Sequence, residues 1–173
     1  MKIEKVETGY LEENCYVLSI KDKCLLIDPG DEFNKIKNLI GNKKVLACLI
    51  THYHFDHVGC LEAFKEIYPT AKIVDYKTKG DVKIDTFEFK VIETYGHTMD
   101  SVSFYFDKND ILFTGDFVFK ETIGNFEEDN EQAMINSLKV FKYMSVNVRI
   151  YPGHDEETTV EHEIKYNPFL RGI

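Results

Sequence analysis

The strongest constraint in this sequence is a continuous apolar run, KVLACLI, that leads directly into THYHFDH. Apolar runs bounded by polar residues are typical of strands buried on both faces. From Val58 onward, apolar residues recur at helical spacing until Pro69, which predicts a helix. Three histidines and an aspartate therefore follow a buried strand, at the end where α/β folds place their sites. These four residues are His52, His54, Asp56 and His57.

Strand-like and helix-like segments alternate along the rest of the chain. Strand patterns occur in KIEKVET, NCYVLSI, KCLLID, AKIVDY, FEFKVIET and VRIYPG, and SVSFYFDKNDILFTGD is typical of a hairpin around DKND. Helical patterns occur in EFNKIKNLI, with Asp31 as its expected cap, and in NEQAMINSLKVFKYM and EETTVEHEIKY. Helices that fall between groups of strands predict an α/β fold, with two mixed sheets and helices packed outside. No linker interrupts the pattern, so residues 1–173 are predicted to form a single domain.

The acidic composition limits the partners that the chain can have. Its net charge is −9, whereas nucleic acid and anionic membranes require a basic surface. No apolar run approaches the roughly 20 residues that span a bilayer, and the N-terminus lacks the apolar core of a signal peptide. We therefore expect a cytoplasmic protein without nucleic-acid or membrane partners, and the sequence leaves its oligomeric state open. The four cysteines have no CxxC spacing and are expected to be buried, although Cys60 follows the histidine cluster and its role stays open.

The histidine cluster is suited to binding metal ions. Imidazole is the commonest metal-ligating side chain near neutral pH, and Zn²⁺ accepts both nitrogen and carboxylate oxygen. His52 and His54 are two residues apart, so on an extended segment they point the same way and can reach one ion. Asp56 and His57 come where the chain turns into a helix, which can direct them to a second point nearby. Two-metal sites hold their ions about 3.5–4 Å apart, a distance that one short loop can serve from both sides.

Four residues cannot complete two coordination spheres, so further ligands are expected at other strand ends. His97 follows FEFKVIET, Asp116 follows ILFTG, and His154 follows VRIYPG. Each of the three directly follows a glycine, which lets the backbone turn sharply and pass close to a site. Together with the cluster they give seven candidate ligands. His162 lies between two glutamates in the last helix and is expected to be a surface charge partner.

The motifs THYHFDH, GHT, TGD and YPGH occur in an order and spacing that resemble the metallo-β-lactamase superfamily. The HxHxDH signature of that family is matched at every fixed position. The segments NCYVL, LIDPGD, GDFVFKETIGNF and NPFL resemble in particular the short glyoxalase II-like (hydroxyacylglutathione hydrolase-like) hydrolases. This resemblance implies a four-layer αββα sandwich with the site at one edge of the two sheets.

The resemblance also implies a role for each candidate residue. His52, His54 and His97 would hold one ion, Asp56, His57 and His154 would hold a second ion, and Asp116 would bridge both. Asp56 and Asp116 would thereby be the catalytic carboxylates. Asp28 would orient one of the ligands from behind, although an aspartate before Pro29 also fits a simple turn.

Two divalent ions imply a hydrolytic chemistry. They would most simply be zinc, while iron or manganese fits the same histidine and carboxylate set. A bridging hydroxide, formed at neutral pH because the cations lower the pKa of water, would attack a carbonyl carbon. The positive site attracts a small anionic substrate, and the resemblance implies thioesters of the hydroxyacylglutathione type. Asn125 replaces an arginine that relatives often carry, and Lys120 is expected to contact substrate in its place. The segment between Tyr76 and Asp85 is also shorter than in relatives, which predicts a site open on that side.

Two alternatives stay open. A persulfide dioxygenase-like oxidoreductase would use the same positions but bind one iron, through two histidines among His52, His54 and His97 together with Asp116. A non-catalytic metal-binding module is a weaker alternative, because a purely structural zinc needs four closed ligands and no shared open position.

Overall fold

The computed structural model describes residues 1–173 and contains thirteen strands and six α-helices. The strands of the N-terminal half are β1 (Lys2–Thr8), β2 (Glu13–Ile20), β3 (Lys23–Ile27), β4 (Lys44–Leu49), β5 (Lys72–Val74), β6 (Gly80–Ile84) and β7 (Phe87–Glu93). The remaining strands are β8 (Val102–Phe106), β9 (Ile111–Gly115), β10 (Val118–Phe119), β11 (Thr122–Ile123), β12 (Arg149–Pro152) and β13 (Thr158–Thr159). The helices are α1 (Phe33–Ile40), α2 (Phe55–Val58), α3 (Leu61–Ile67), α4 (Glu131–Lys142), α5 (Val160–Tyr166) and α6 (Pro168–Arg171). None of these helices combines the length and the apolar character that a membrane crossing requires.

The strands form two large mixed sheets. The first has the order β1-β2-β3-β4-β5, antiparallel on the β1 side and parallel between β3, β4 and β5. The second has the order β13-β12-β9-β8-β7-β6, in which only β12 and β9 run parallel. A short hairpin of β10 and β11 follows the second sheet's central strand. Parallel strands end at the same edge, so the segments after β4, β9 and β12 can come together there.

The core consists of three buried layers. Seventeen buried residues, including Tyr16, Leu49, Phe104 and Phe113, lie between the two sheets. A second cluster packs the opposite face of the first sheet against α1 and α3, and a third packs the second sheet against α4, α5 and α6. Strand β2 illustrates the alternation, because Tyr16 belongs to the central layer and its neighbour Cys15 to an outer one. The predicted four-layer αββα sandwich is confirmed.

Several local predictions need correction. The helix expected from Val58 to Pro69 is interrupted at Gly59, where the chain leaves α2 before α3 begins. A Cβ at position 59 would lie 2.4 Å from the Gly30 carbonyl oxygen, so the chain approaches the loop after β3 too closely for any side chain. Asp31 does not cap α1, because its carboxylate accepts a hydrogen bond from the adjacent Glu32 N–H outside the helix.

The last predicted helix is also shorter than expected. The EETTVEHEIKY pattern suggested a helix throughout, but Thr158 and Thr159 pair with β12 as an edge strand. The helix α5 then begins at Val160, where the Thr159 side chain caps it by accepting a hydrogen bond from the His162 N–H. Consecutive β-branched threonines favour the extended conformation, which explains why the strand persists there.

Candidate metal centre

The seven candidate ligands lie together at one edge of the two sheets. His52 and His54 occupy the extended segment between β4 and α2, and α2 itself carries Asp56 and His57. The other three follow strands of the second sheet, with His97 after β7, Asp116 after β9 and His154 after β12. Segments that are up to 102 positions apart in the sequence (His52 and His154) therefore contribute to a single site.

The first group of side chains consists of His52, His54 and His97. The Nδ1 atom of His54 lies 3.1 Å from His52 Nε2 and 2.9 Å from His97 Nε2. A neutral imidazole has only one N–H, so three converging ring nitrogens cannot all be satisfied by hydrogen bonds to one another. A cation between them would satisfy all three lone pairs.

The second group consists of Asp56, His57 and His154. Asp56 Oδ2 lies 3.3 Å from His154 Nε2 and 3.7 Å from His57 Nε2. His57 is completely buried, whereas the other two side chains are partly accessible. An ion held here would therefore be reached from the side of Asp56 and His154.

Asp116 connects the two groups. Its Oδ1 atom lies 3.2 Å from His57 Nε2 in the second group. Its Oδ2 atom lies 3.5 Å from His97 Nε2 in the first group and 3.6 Å from His154 Nε2 in the second. Asp116 is therefore an anionic side chain that lies within 4 Å of histidines from both groups.

These spacings fit the requirements of metal ions. Zinc binds nitrogen at 2.0–2.1 Å, so the edge of a tetrahedron of ligands is about 3.3–3.4 Å. The distances between facing donor atoms scatter around that value, from 2.9 to 3.7 Å. His57 Nε2 and Asp116 Oδ1 are buried and make no hydrogen bond that satisfies the geometric requirements. Buried polar atoms are rarely left in that state, which supports a cation as their partner.

Glycine permits the close approach of the loops. A Cβ at position 153 would lie 2.3 Å from Asp116 Oδ1 and 2.6 Å from the His57 ring, so the loop before His154 fits only without a side chain. Gly96 has φ +148° and a Cβ there would lie 2.7 Å from the backbone of Met134, which brings the His97 loop against α4. The predicted close approach to the site is confirmed for Gly153, whereas Gly96 makes its close approach to Met134.

The outward-facing nitrogens of four histidines are held by hydrogen bonds. His57 Nδ1 donates to Asp28 Oδ2 at 3.0 Å, and the other three donors pair with oxygen atoms in the same way. The pairs are His52 with Thr51 Oγ1, His97 with the Asn125 carbonyl and His154 with the Leu11 carbonyl. These bonds fix the tautomers, since a proton on Nδ1 leaves the Nε2 lone pair free to face the centre.

Asp28 orients more than one group. Besides His57, its carboxylate accepts hydrogen bonds from the Thr51 hydroxyl (2.6 Å) and the Thr51 N–H (2.8 Å). Thr51 in turn contacts His52, so one buried carboxylate supports a histidine of each group. The residue also lies in a turn with φ +49°, so both sequence-based interpretations of Asp28 fit its position.

The electrostatics of the protein without ions explain why cations would be favoured. Burial lowers the pKa of His52 well below its ordinary value, and burial also lowers that of His54. Burial opposes a charge on His57 too, but the carboxylates of Asp116 and Asp28 on either side of its ring outweigh that cost and raise its pKa. Burial would raise the pKa of Asp116, yet the adjacent His57 holds it below the usual range. A proton on His57 thus balances part of the carboxylate charge that metal ions would otherwise balance.

Sequence reasoning missed the support that β2 gives to the site. The Asn14 side chain donates to the carbonyl oxygens of Pro152 and Asp155, on both sides of His154. The Tyr16 hydroxyl donates to the same Pro152 oxygen at 2.7 Å. The motif NCYVL contains both residues, but only the fold reveals that they reach a loop more than 130 positions away.

Other predicted residues have different surroundings. Lys120 is exposed and pairs with Glu156 at 2.5 Å, so its contact with substrate stays a prediction. His162 is a surface charge partner as expected, but it faces Glu121 at 2.9 Å and not its helix neighbours. All four cysteines are buried free thiols, and burial raises the pKa of Cys60, which disfavours a reactive thiolate.

Fold and donor set together define an αββα domain whose histidine and aspartate groups could hold metal ions at the edge of its sheets. The chain belongs to the metallo-beta-lactamase superfamily, whose sequence model matches residues 8–81 and 77–154. The two matched pieces meet at residues 77–81, inside the segment that is predicted to be shortened.

Two named relatives extend over nearly the whole chain. One is a probable metallo-hydrolase, YqgX, of Bacillus subtilis, which is 31% identical and covers 100% of this chain and 99% of its own length. The other is the hydroxyacylglutathione hydrolase GloC of Haemophilus influenzae, 28% identical over 98% of both chains. The alignment with YqgX spans 209 positions, so that relative has residues that this 173-residue chain lacks.

Solved structures have the same fold. The crystal structure of TTHA1623 in a di-iron-bound form has a TM-score of 0.83 and 29% identity, over 96% of this chain and 100% of that one. The structure of ETHE1 from Myxococcus xanthus has a TM-score of 0.88 over 99% of this chain and 85% of that one. Its identity is 24%, so that likeness establishes the fold alone.

Proposed function

We propose that this protein is a two-metal hydrolase that cleaves thioesters. The observation that carries the proposal is the position of Asp116, whose two oxygens lie within 3.6 Å of histidines from both donor groups. A carboxylate so placed can hold two cations at the separation of about 3.5–4 Å that two-metal hydrolases use. When bound, such ions lower the pKa of water to about 7 and polarise a carbonyl oxygen.

The protein's own residues would hold and orient this chemistry. The first group, with His52, His54 and His97, offers three ring nitrogens. The second group adds the carboxylate of Asp56, and the carboxylate of Asp116 faces both groups. Hydrogen bonds to Asp28 and to backbone carbonyls keep the histidine rings from turning. Neither group has a fourth protein ligand of its own besides the shared Asp116, so ions held here would be accessible to substrate.

Thioesters are the proposed substrates because a thiolate leaves readily and needs little help from a general acid. The relative GloC is named a hydroxyacylglutathione hydrolase, which supports a thioester substrate for this chain. Zinc is the proposed ion, supported by the zinc-dependent hydrolase PksB of Bacillus subtilis, 27% identical over 95% of this chain. The di-iron form of TTHA1623 means that iron is the alternative to test.

Glutathione is a poor match for the pocket beside Asp56. A pocket of about 190 Å³ has the metal-site residue Asp56 in its wall, together with Tyr10, Leu11 and Phe55. Its only charged lining residues are Asp31 and Asp56, so it offers no cation to the two carboxylates of glutathione. The smaller thiol of an uncharged thioester would meet no such repulsion.

A second candidate function is oxidation at one iron, as in persulfide dioxygenases. Its supporting observation is a buried set of His52, His57 and Asp116, whose donor atoms all lie within 4.8 Å of one another. Two histidines and one carboxylate are the usual ligands of mononuclear iron oxygenases. That arrangement would leave Asp56 and His154 without a metal.

The test is a substrate panel on protein of measured metal content. Protein loaded with two zinc ions is expected to hydrolyse N-acetylcysteamine thioesters faster than S-lactoylglutathione, as followed by thiol release. Protein loaded with one iron is assayed for oxygen uptake with glutathione persulfide. If protein with two ions per chain releases thiol from none of the thioesters, the hydrolase proposal is contradicted. Oxygen uptake by the iron-loaded protein would favour the dioxygenase.

Replacing Glu156 with glutamine is expected to lower KM for anionic thioesters. The change removes the carboxylate that pairs with Lys120, so this exposed cation becomes available to substrate. We expect KM for S-lactoylglutathione to fall by about two- to fivefold, the range of a solvent-exposed charge contact of up to about 1 kcal/mol. KM for an uncharged thioester should stay constant, and an equal fall for both substrates would exclude the charge explanation.

A further inference from the structure

Glu13 is a buried acidic residue that has no place in the proposed chemistry. It is the first residue of β2, its side chain is fully buried, and Thr8 donates a hydrogen bond to its Oε2 atom at 3.0 Å. Its other oxygen, Oε1, is buried and has no hydrogen-bond partner. Glutamate is almost never fully buried unless it is paired, so this position calls for an explanation.

The unpartnered oxygen faces the second donor group from behind. Glu13 Oε1 lies 3.8 Å from Nδ1 of His57, on the same ring nitrogen that donates to Asp28 at 3.0 Å. The atoms of Glu13, Asp28 and His57 lie within 4.8 Å of one another in a fully buried set. Two carboxylates therefore flank one imidazole N–H on the side away from the proposed ion.

The neighbouring backbone holds the Glu13 carboxylate in place. A Cβ at position 30 would lie 2.5 Å from Glu13 Oε2 and 1.9 Å from the backbone oxygen of Asp56. Gly30 is thus packed between this carboxylate and the segment that carries the second group. A side chain confined in this way can restrict the rotation of the ring beside it.

The next residue on β2 acts on the other histidine of the second group. Asn14 binds the backbone on both sides of His154, as described above. Neither Glu13 nor Asn14 contacts His52, His54 or His97 through a hydrogen bond or an ion pair. The start of β2 therefore serves one of the two metal positions selectively.

We propose that Glu13 is a positioning residue that holds His57 in the orientation needed to bind the second metal ion. The inference rests on the two-ion site of the proposed function. Partners of this kind behind a metal-binding histidine change metal affinity by about 10- to 100-fold when they are replaced. Glu13 should accordingly control the occupancy of the Asp56, His57 and His154 position and leave the other position unchanged.

The experiment measures both ions directly and needs no activity. Zinc-loaded protein is dialysed against chelator-buffered zinc of graded free concentration, and bound zinc per chain gives two dissociation constants. Glu13→Met keeps the length of the side chain and removes both oxygens, and Glu13→Gln keeps an oxygen acceptor. Glu12→Met is the matched control, because Glu12 is adjacent but exposed.

Glu13→Met is expected to weaken the ion at the second group by about 10- to 100-fold and to leave the other dissociation constant within twofold. Glu13→Gln should recover most of that loss, and the ¹⁵N resonance of His57 Nδ1 should move in Glu13→Met but not in Glu12→Met. Unchanged second-ion affinity in Glu13→Met, or equal weakening of both ions, would overturn the inference. Wild-type protein that binds one zinc would instead overturn the two-ion site itself.

Discussion

Asn in place of Asp116 is expected to reduce thioester hydrolysis by on the order of 10³-fold or more, the largest effect of any single change. Asparagine keeps the shape of the side chain but loses the charge that faces His57, His97 and His154. The two proposed ions would then lack a shared anionic ligand. The nucleophile depends on cations that lower the pKa of water from 15.7 to about 7, so most of that advantage is lost with them. The measurement is kcat at pH 7, with bound zinc determined on the same sample.

Asp129→Asn provides the matched control for this prediction, because Asp129 is exposed and outside the site. It should retain full turnover and two ions per chain. Circular dichroism of Asp116→Asn should show the wild-type secondary structure, since the change removes no buried volume. Full turnover by Asp116→Asn with two bound zinc ions would show that this carboxylate does not bridge the ions.

Much of this fold can be predicted from the local periodicity of apolar residues along the chain. The run before His52 is buried on both faces and forms an inner strand of the first sheet, and the period changes to helical spacing where the chain leaves it. The alternation in β7 likewise matches its burial pattern. What local patterns miss are distances across the fold, such as the Gly59 backbone meeting Gly30, which divides the expected helix.

The candidate site could be located from the sequence for a related reason. Histidines and aspartates that follow glycines at strand ends are local signals, and parallel strands carry their ends to one edge. The residues behind them give no such signal. Glu13 and Asn14 belong to a strand that begins next to β1, and their contacts with His57 and the His154 loop arise only when the sheets pack.

The sequence predicted the burial of the cysteines correctly, but it did not predict which residue pairs with His162. Apolar surroundings correctly indicated that the four thiols are buried. The partner of His162 could not be read from its neighbours, because Glu163 turns inward to accept hydrogen bonds from Thr158 and Asn167. Helical periodicity says which residues share a face, but not which face meets the adjacent hairpin.

Removal of the metal ions is expected to lower the melting temperature by roughly 10–20 °C at pH 8. Each ion that binds only the folded chain adds about 2.7 kcal/mol at a free concentration of 100 times its Kd. Two ions thus contribute about 5 kcal/mol, and a domain of this size loses about 2–4 °C for each kcal/mol. Calorimetry or dye-monitored melting with and without a chelator measures the difference.

This difference should shrink as the pH is lowered toward 6. In the metal-free protein the His57 pKa is raised by Asp116 and Asp28 despite burial, so its proton stabilises the folded state fully below the unfolded value of about 6.5. That contribution is lost as the pH rises through the higher folded pKa. Zinc must displace this proton in order to bind Nε2, so its net gain is smaller at pH 6 than at pH 8. His57→Gln removes the group that takes up the proton, so it should flatten the pH dependence of the melting temperature of the metal-free protein. If zinc raises the melting temperature of the wild type equally at both pH values, proton and metal do not compete at this ring.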